Sequence, residues 1–277
     1  MSTQTTSIPV GFQGEPGAYS EKAVKLLFAD ASPVPLHSFH KVFEAVEIGR
    51  LEYGVVPIEN SHAGSINETY DLLLRHGLQI IGETVVRISH RLMAAPGRSI
   101  KDVRIVFSHP QAFEQCDEFL DSLEVERVAV HDTAGAARIV SEEKRDGTAA
   151  IASEEAAGLY GLEVLATDIE DRADNSTKFV AIGRSNPGLF GPPDKTSIVF
   201  ATADVPGALY KCLKEFADRE LNLSKLESRP SRAKAWQYHF YLDLDTPSSD
   251  PVAQEALEAM GQHTSFLRVL GSYRQAR

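Results

Sequence analysis

The stretch Asp174–Arg184, DNSTKFVAIGR, places a polar entrance before an apolar strand and decides how the chain is expected to fold. A hydroxyl (Thr177), a cation (Lys178) and an aromatic ring (Phe179) stand side by side where that strand starts. Such a set can bind a small carboxylate and donate a hydrogen bond to a leaving oxygen. The run TKFVAIGR predicts a strand that returns the chain to an earlier lobe, so a cleft between two lobes is expected.

Upstream of this stretch, short apolar runs alternate with helical patterns, as in YGVVPI followed by SINETYDLLLRH. The alternation is typical of α/β folds with mainly parallel strands. Residues 79–95 are extended without an intervening helix, which predicts a crossover between lobes. We therefore predict an α/β domain over residues 1–184, with one lobe of about 1–82 plus 170–184 and a second of 83–169.

Downstream, the run SNPGLFGPPDK (residues 185–195) is rich in proline and glycine and predicts a linker. Residues 196–277 then read as strand, helix, strand, strand, helix, strand. That order is typical of a ferredoxin-like α+β domain, with an antiparallel sheet and both helices on one face.

Composition excludes several classes of protein. The 277 residues carry 28 lysines and arginines against 39 acidic residues, a net charge of −11 that argues against a nucleic-acid partner. The N-terminus lacks a signal-peptide pattern, and no apolar run approaches the roughly 18 residues that cross a bilayer. A cytoplasmic location without a membrane partner is predicted. Cys116 and Cys212 form neither a disulfide framework nor a metal-ligand spacing, and we interpret both as core thiols.

Familiar cofactor motifs are also missing from the sequence. Gly11, Gly14 and Gly17 imitate a dinucleotide fingerprint, but their spacing is wrong. His37 and His40 are the closest histidine pair and belong to no metal-binding pattern. We expect no cofactor and no metal. The sequence contains no GxSxG elbow, so it gives no support for a hydrolase.

Two further loops follow predicted strands, where open α/β sheets place their ligands. In PIENSHAGS, Asn60, Ser61 and Ser65 supply amide and hydroxyl groups before a helix whose N-terminus favours an anion. These groups either cap that helix or bind a ligand.

In the second loop, SHPQAFEQC, Pro110 suits a first helical position and Ser108 lies near the cap. Gln111 and Gln115 share one helical face. Ser108 is a candidate both for capping and for ligand binding. We expect both loops to converge with the NSTKF run.

Several segments recur in the order and at the separations of one family: GEPGAYSEKA, PIENSHAGSINETYDLL, SHPQAFEQC, DTAGAA, AAIAS, NSTKF, GAL and ESRPSR. Through them, nearly the whole chain resembles the monofunctional prephenate dehydratases of phenylalanine biosynthesis, which carry a C-terminal ACT regulatory domain. The resemblance implies a two-lobed catalytic domain similar to a periplasmic-binding-protein fold. It also implies an ACT domain that binds phenylalanine between subunits, and hence a homodimer or homotetramer.

By position, the resemblance assigns Thr177 to the essential threonine of the family's Thr-Arg-Phe motif. It assigns Asn60, Ser108 and Gln115 to residues of substrate binding and turnover. Lys178 stands where the family usually has arginine, and lysine keeps the charge but lacks the planar fork that binds a carboxylate bidentately. The expected substrate-binding residues are Ser61, Ser65, Gln111, Lys178 and Phe179.

The chemistry of prephenate fits these residues. Loss of carbon dioxide and of the ring hydroxyl makes the ring aromatic, so a donor is needed at the hydroxyl and a cation at the pyruvyl carboxylate. We expect Thr177 to be the donor, Lys178 or helix-end amides to be the anchor, and Phe179 to form an apolar wall. A regular strand would point Thr177 and Lys178 to opposite faces, so both can face the cleft only if the motif is a loop.

In the C-terminal domain, the GAL and ESRP motifs resemble the phenylalanine site of dehydratase ACT domains. Gly207 opens a helix whose amides can approach a carboxylate, and Glu227 can meet an ammonium group. A packing loop beside a dimer interface is the plainer alternative. The expected effector residues are Gly207, Ala208, Leu209, Glu227, Ser228, Arg229 and Pro230.

Two other functions stay open at this stage. Arogenate, which bears an amino group where prephenate has a keto group, is an alternative substrate. A non-catalytic amino-acid sensor is the other alternative, because a two-lobed fold alone does not imply catalysis.

Overall fold

A computed structural model describes residues 7–230 and 237–276. The chain forms two compact units, one of Met1–Tyr70 with Val85–Phe179 and one of Asp71–Thr84 with Val180–Arg277. The predicted limits of the domains and of the linker stay predictions. The last two residues of the ESRPSR run lie outside the described residues.

The N-terminal part of the chain alternates strands and helices. In chain order these are β1 (Ile8–Gln13), α1 (Tyr19–Leu27), β2 (Ala31–Leu36), α2 (Phe39–Glu47), β3 (Tyr53–Asn60), β4 (Gly64–Ser65), α3 (Asn67–Arg75), β5 (Gln79–Arg87), β6 (Arg91–Ala94), β7 (Ile105–Ser108), α4 (Pro110–Gln115), α5 (Asp117–Asp121), β8 (Glu126–Ala129), α6 (Thr133–Glu143), β9 (Thr148–Ala152), α7 (Glu154–Tyr160), β10 (Glu163–Thr167) and β11 (Ser176–Gly183). Helix α3 and strands β5 and β11 contribute residues to both units.

These strands form two sheets, which confirms the predicted two-lobed α/β fold. The first has the order β2-β1-β3-β11-β5, with β1 parallel to both of its neighbours and β4 paired to β3. The second has the order β10-β6-β9-β7-β8, in which β7 runs parallel to β8 and β9. Strand β6 runs antiparallel to β9 and β10. Strand β11 therefore returns to the first sheet after the second is complete.

Strand β2 and helix α2 were not among the strand and helix pairs identified from the sequence. Pro33 and Pro35 obscure β2, but proline is tolerated there because β2 is an edge strand. Helix α2 is capped by Ser38, whose hydroxyl accepts from the Lys41 amide, and it buries Val42 and three other apolar residues.

Small side chains set the position of helix α6 against the second sheet. Ala134, Ala136 and Ala137 are fully buried and pack with Ala150 of β9 in one core cluster. Because alanine allows a close approach, the N-terminus of α6 is held near the carboxyl ends of the strands.

The second unit contains β12 (Lys195–Thr202), α8 (Ala208–Ala217), β13 (Leu223–Pro230), β14 (Tyr238–Leu244), α9 (Pro251–Gly261) and β15 (Thr264–Tyr273). Its sheet has the order β13-β14-β12-β15 with antiparallel neighbours. Phe200, Phe216 and Met260 lie in its core, where each buried side chain contributes about 1.5–3 kcal/mol. The predicted ferredoxin-like arrangement is confirmed, and the unit is ACT-like.

A buried ionic network joins strands of the second unit. The Lys195 ammonium lies 3.1 Å from a Glu83 oxygen and 2.9 Å from an Asp243 oxygen, and its side chain is 2% exposed. Ser197 donates to the other Asp243 oxygen at 2.6 Å. Desolvation alone would lower the pKa of Lys195, but the charges of Asp243 and Glu83 outweigh it and raise that pKa.

Cys116 and Cys212 are free and buried, which confirms their interpretation as core thiols. Across residues 7–230 and 237–276, no helix has the length and apolar character needed to cross a membrane.

Candidate active site

A cavity of about 440 Å³ lies in the first unit. Gln13 and Asn60, at the carboxyl ends of β1 and β3, contribute to its wall, as is usual for ligand sites of open α/β sheets. Its volume falls in the range of small-molecule sites. The predicted site residues that line it are Asn60, Gln111, Gln115, Thr177 and Phe179.

Asn60 fixes the orientation of the Thr177 hydroxyl. The Asn60 Oδ1 accepts from the backbone amides of His62 at 3.0 Å and Ala63 at 2.9 Å, so its NH₂ group must point the other way. That NH₂ group donates to Thr177 Oγ1 at 3.0 Å and to Asn175 Oδ1 at 2.8 Å. Because Thr177 Oγ1 is an acceptor for Asn60, its own proton is available for donation toward the cavity that it lines.

Strand geometry separates Lys178 from its two neighbours. Strand β11 begins at Ser176, so the motif is regular strand rather than loop. Thr177 and Phe179 line the cavity, whereas Lys178 is absent from its wall and lies 3.8 Å from a Glu59 carboxylate oxygen. The condition for Thr177 and Lys178 to share the cleft is therefore not met.

The predicted serines of the first loop lie outside the cavity wall. The Ser61 hydroxyl accepts from the Ser176 amide at 3.0 Å and donates to the Asp174 carbonyl at 3.2 Å. It thereby fastens this loop to the start of β11. Ser65 belongs to the short strand β4, which pairs with β3.

Ser108 is fully buried, and its hydroxyl donates to the Ile151 carbonyl at 2.8 Å. The cap of α4 is instead His109, whose Nδ1 accepts from the Gln111 amide at 3.2 Å. The capping role considered for Ser108 is wrong, because its hydroxyl points into the sheet. Pro110 occupies the first turn as predicted.

Helix N-termini supply positive potential to the cavity. Lining residues come from the first turns or caps of α1, α2, α3, α4 and α6. The dipoles of these helices favour an anion. In α2, α4 and α6 one first-turn amide is already paired with the side chain of the capping residue, which is Ser38, His109 or Asp132 respectively. Among the lining residues that the structure describes there is no lysine or arginine, while Glu68 and Asp132 contribute carboxylates.

Two histidines of the wall are affected by burial. Desolvation and the neighbouring His131 lower the pKa of His109. Desolvation also lowers the pKa of His90, whose Nε2 lies 2.9 Å from Gln115 Oε1.

Sequence analysis did not select His90 or Tyr19, which also line the cavity. His90 follows β5 in residues 79–95, which were predicted to cross between the lobes. A polar residue in that crossover was the signal that could have identified it as a site residue. Tyr19 opens α1 within the GEPGAYSEKA segment, and its hydroxyl donates to the Ser89 carbonyl at 2.5 Å. Burial raises the pKa of this hydroxyl far above its usual value, so Tyr19 is a neutral wall residue.

In the second unit, the predicted effector residues lie on two elements. Gly207 caps α8 with a left-handed φ of 78° and has no side chain to pair with the first amides, while Ala208 and Leu209 form the first turn. Strand β13, which holds Glu227–Pro230, is an edge strand.

Side chains of β13 alternate between two environments. Glu227 and Arg229 are half-buried, whereas Ser228 and Pro230 are exposed. Arg229 pairs with Asp71 at 3.3 Å. The two pairs of residues therefore face opposite sides of the strand.

Within residues 7–230 and 237–276, no group of three or more histidine, cysteine or acidic side chains is placed to hold a metal ion.

Residues 10–187 match the family model of prephenate dehydratase. The chain belongs to the prephenate dehydratase family. As a member of that family it is a dehydratase lyase of phenylalanine biosynthesis.

Known relatives extend over most of the chain. Arogenate dehydratase/prephenate dehydratase 2, chloroplastic, of Arabidopsis thaliana is 46% identical over 280 residues, which are 96% of this chain and 72% of the relative. The prephenate dehydratase of Arthrobacter aurescens in complex with L-Phe is 33% identical, with a TM-score of 0.86 over 96% of this chain and 90% of that one. A structure described as GqqA, a novel type of quorum quenching acylase, is 34% identical, with a TM-score of 0.86 over 96% of this chain and 98% of that one.

Proposed function

We propose that this dehydratase converts prephenate to phenylpyruvate with loss of carbon dioxide and water. The observation that carries the proposal is the donor geometry of Thr177, whose oxygen accepts from Asn60 and whose proton is available to the cavity. The residues proposed to act on substrate are Thr177, Asn60, Gln111, Gln115 and Phe179.

The reaction needs a donor because of its electron flow. The bond between the ring and its carboxylate breaks, its electron pair moves through the ring, and the bond to the hydroxyl breaks. The departing hydroxide takes a proton and leaves as water, while carbon dioxide leaves from the other end. A threonine hydroxyl has too high a pKa to give up its proton outright, so Thr177 acts by hydrogen bonding or by relay through water.

The remaining wall supports the same reaction. Phe179 and Ile88 form apolar surface, which favours a neutral carbon dioxide over a charged carboxylate. Since Lys178 is paired with Glu59, the helix N-termini are the better candidates for anchoring the pyruvyl carboxylate. Ser61 and Lys178 then support the NSTKF run from outside the cavity and do not contact the substrate.

Arogenate is the second candidate substrate, and one observation favours it. Glu68 and Asp132 bring carboxylates to the wall, among whose described residues there is no lysine or arginine. A carboxylate attracts the ammonium group that arogenate carries and prephenate lacks.

The test is to measure kcat/KM for both substrates in parallel with purified protein. Prephenate turnover supports the main proposal. If only arogenate is turned over, the proposed substrate becomes arogenate. If neither substrate is turned over, an amino-acid sensor becomes the better interpretation. Glu68→Gln should lower kcat/KM for arogenate more than for prephenate if that carboxylate meets the ammonium group.

We further propose that phenylalanine binds the ACT-like unit and inhibits turnover. The N-terminus of α8 at Gly207, which has no side-chain cap, suits the effector carboxylate. Glu227 is half-buried on β13 and lies 3.5 Å from the Lys225 ammonium, so the effector's ammonium group would compete with Lys225 for its carboxylate. The relative from Arthrobacter aurescens, described in complex with L-Phe, supports this proposal.

Inhibition curves test the effector site. Glu227→Gln should raise the half-inhibitory phenylalanine concentration at least tenfold, a loss typical of a charged hydrogen bond. The exposed Glu255 of α9 offers a matched control, because Glu255→Gln makes the same change in the same unit. Equal curves for both variants would contradict the assignment.

A homodimer or homotetramer in a cytoplasmic setting stays part of the proposal. Light scattering on the protein as it elutes from a size-exclusion column measures the mass of the assembly. A monomer at all concentrations would contradict the proposed oligomer.

A further inference from the structure

Two residues of the cavity wall, His90 and Gln115, are braced by one segment of backbone. The Ile169 amide donates to the His90 carbonyl at 3.3 Å, and the Asp171 amide donates to the Gln115 carbonyl at 2.8 Å. Between them, Glu170 accepts from the His90 amide at 2.8 Å. Residues 169–171 therefore set the spacing between a loop after β5 and the end of helix α4.

The side chains of His90 and Gln115 meet inside that frame. His90 Nε2 lies 2.9 Å from Gln115 Oε1, and His90 is 2% exposed. The other ring nitrogen, Nδ1, is buried without a hydrogen-bond partner among the described residues.

This arrangement selects one tautomer of the imidazole. With the proton on Nε2, the ring donates to Gln115 Oε1 and leaves only an acceptor lone pair unpaired at Nδ1. With the proton on Nδ1, a buried N–H donor would have no acceptor, which is the rarer and costlier defect. The Nε2-protonated form is therefore favoured.

Desolvation lowers the pKa of His90, which keeps the ring neutral near pH 7. Glu170 and Gln115 oppose this effect without reversing it. The rings of Tyr19 and His90 make a T-shaped contact with centroids 6.0 Å apart, and Tyr19 adds no charge because its own hydroxyl stays protonated.

We propose that His90 is a positioning residue that holds the Gln115 carboxamide oxygen, so that the Gln115 NH₂ group is presented to the substrate as a hydrogen-bond donor. Gln115 then serves the reaction as a donor, in the same sense as Thr177. This inference rests on the proposed dehydratase function.

The roles of the two residues are separable by substitution. His90→Leu removes the donor to Gln115, whereas His90→Gln places an amide NH₂ group near the position of Nε2. The leucine variant should lose at least about tenfold in kcat with a smaller change in KM, because a freed carboxamide no longer donates where charge develops. The glutamine variant should recover most of that loss.

A double-mutant cycle separates positioning from general damage to the fold. In a Gln115→Leu background, His90→Leu should lower kcat by less than about twofold, since its target is already gone. If the losses in kcat of the two single variants multiply in the double variant, the two residues act independently and the proposal is overturned. A His90→Gln variant as impaired as His90→Leu would also overturn it.

Nitrogen-15 NMR of the wild-type imidazole reads the tautomer without any substitution. The expected spectrum has a protonated Nε2 and an unprotonated Nδ1, and the opposite tautomer would overturn the proposal even if the leucine variant fails to fold. If wild-type protein turns over neither substrate, the proposed function fails, while the NMR result still decides the orientation of Gln115.

Discussion

Replacing Thr177 with valine should remove most of the catalytic power and little of the stability. Valine keeps the branched shape of threonine but has no hydroxyl to donate. Loss of one donor at a group that develops charge typically lowers kcat by about 10²–10³, or about 2.7–4 kcal/mol of transition-state stabilisation.

The folded state should tolerate this change. Thr177 is 8% exposed, so the substitution is a buried one. The Asn60 NH₂ group loses one acceptor but keeps Asn175 Oδ1 at 2.8 Å and the Ser176 carbonyl at 3.2 Å. The expected cost is therefore near the ordinary value of one hydrogen bond, about 1 kcal/mol.

The assay follows phenylpyruvate formed from prephenate, and thermal unfolding of each variant is recorded alongside. Thr177→Ser is the matched control, because it keeps the hydroxyl and should retain kcat within about tenfold. A valine variant that turns over within a few-fold of wild type would refute the assignment of Thr177 as the donor.

Further predictions concern three residues whose placement differs from a simple sequence interpretation. Lys195→Met should destabilise the protein by about 3–5 kcal/mol in urea unfolding, because it leaves the Glu83 and Asp243 carboxylates buried without their cation. The folded pKa of Lys195 is raised, so the charged ammonium stabilises the folded state. This contribution should be complete below about pH 10.4, the pKa of an unfolded lysine, and should disappear as the pH rises through the folded pKa. Urea unfolding at a series of increasing pH values measures it. Lys178→Met should change KM for prephenate by less than about threefold, because its half-buried ion pair with Glu59 lies outside the cavity wall, and a tenfold rise would restore Lys178 as the carboxylate anchor. Ser108→Ala should lower stability by about 1–2 kcal/mol with kcat reduced less than tenfold, whereas a hundredfold loss of kcat at unchanged stability would support a direct catalytic role.

Sequence patterns predicted the fold well where local signals agree with the final packing. The ferredoxin-like order of the second unit is visible because its strands and helices differ clearly in hydrophobic period. Strand β2 was hidden by Pro33 and Pro35, whose suitability depends on the edge position of that strand.

The candidate site was predicted more unevenly. Asn60, Gln115 and Thr177 were chosen from motifs, and the structure brings all three to one cavity wall. Lys178 follows Thr177 in the same motif but lies outside the cavity wall, because successive side chains of strand β11 point to opposite faces. His90 belongs to no motif that we recognised, and its partner Gln115 is 25 residues away.

The sequence by itself determined the two-lobed α/β fold, the ferredoxin-like unit and the membership of the dehydratase family, since these depend on periodicity and on motifs within single segments. Only the tertiary structure decided which groups meet. The hydroxyl of Thr177 is oriented by Asn60 across 117 positions of sequence, and His90 is fixed against Gln115 by Glu170 from a third segment. A hydrogen bond depends on distance and direction in space, and strand register and helix packing set both of these only once the chain has folded.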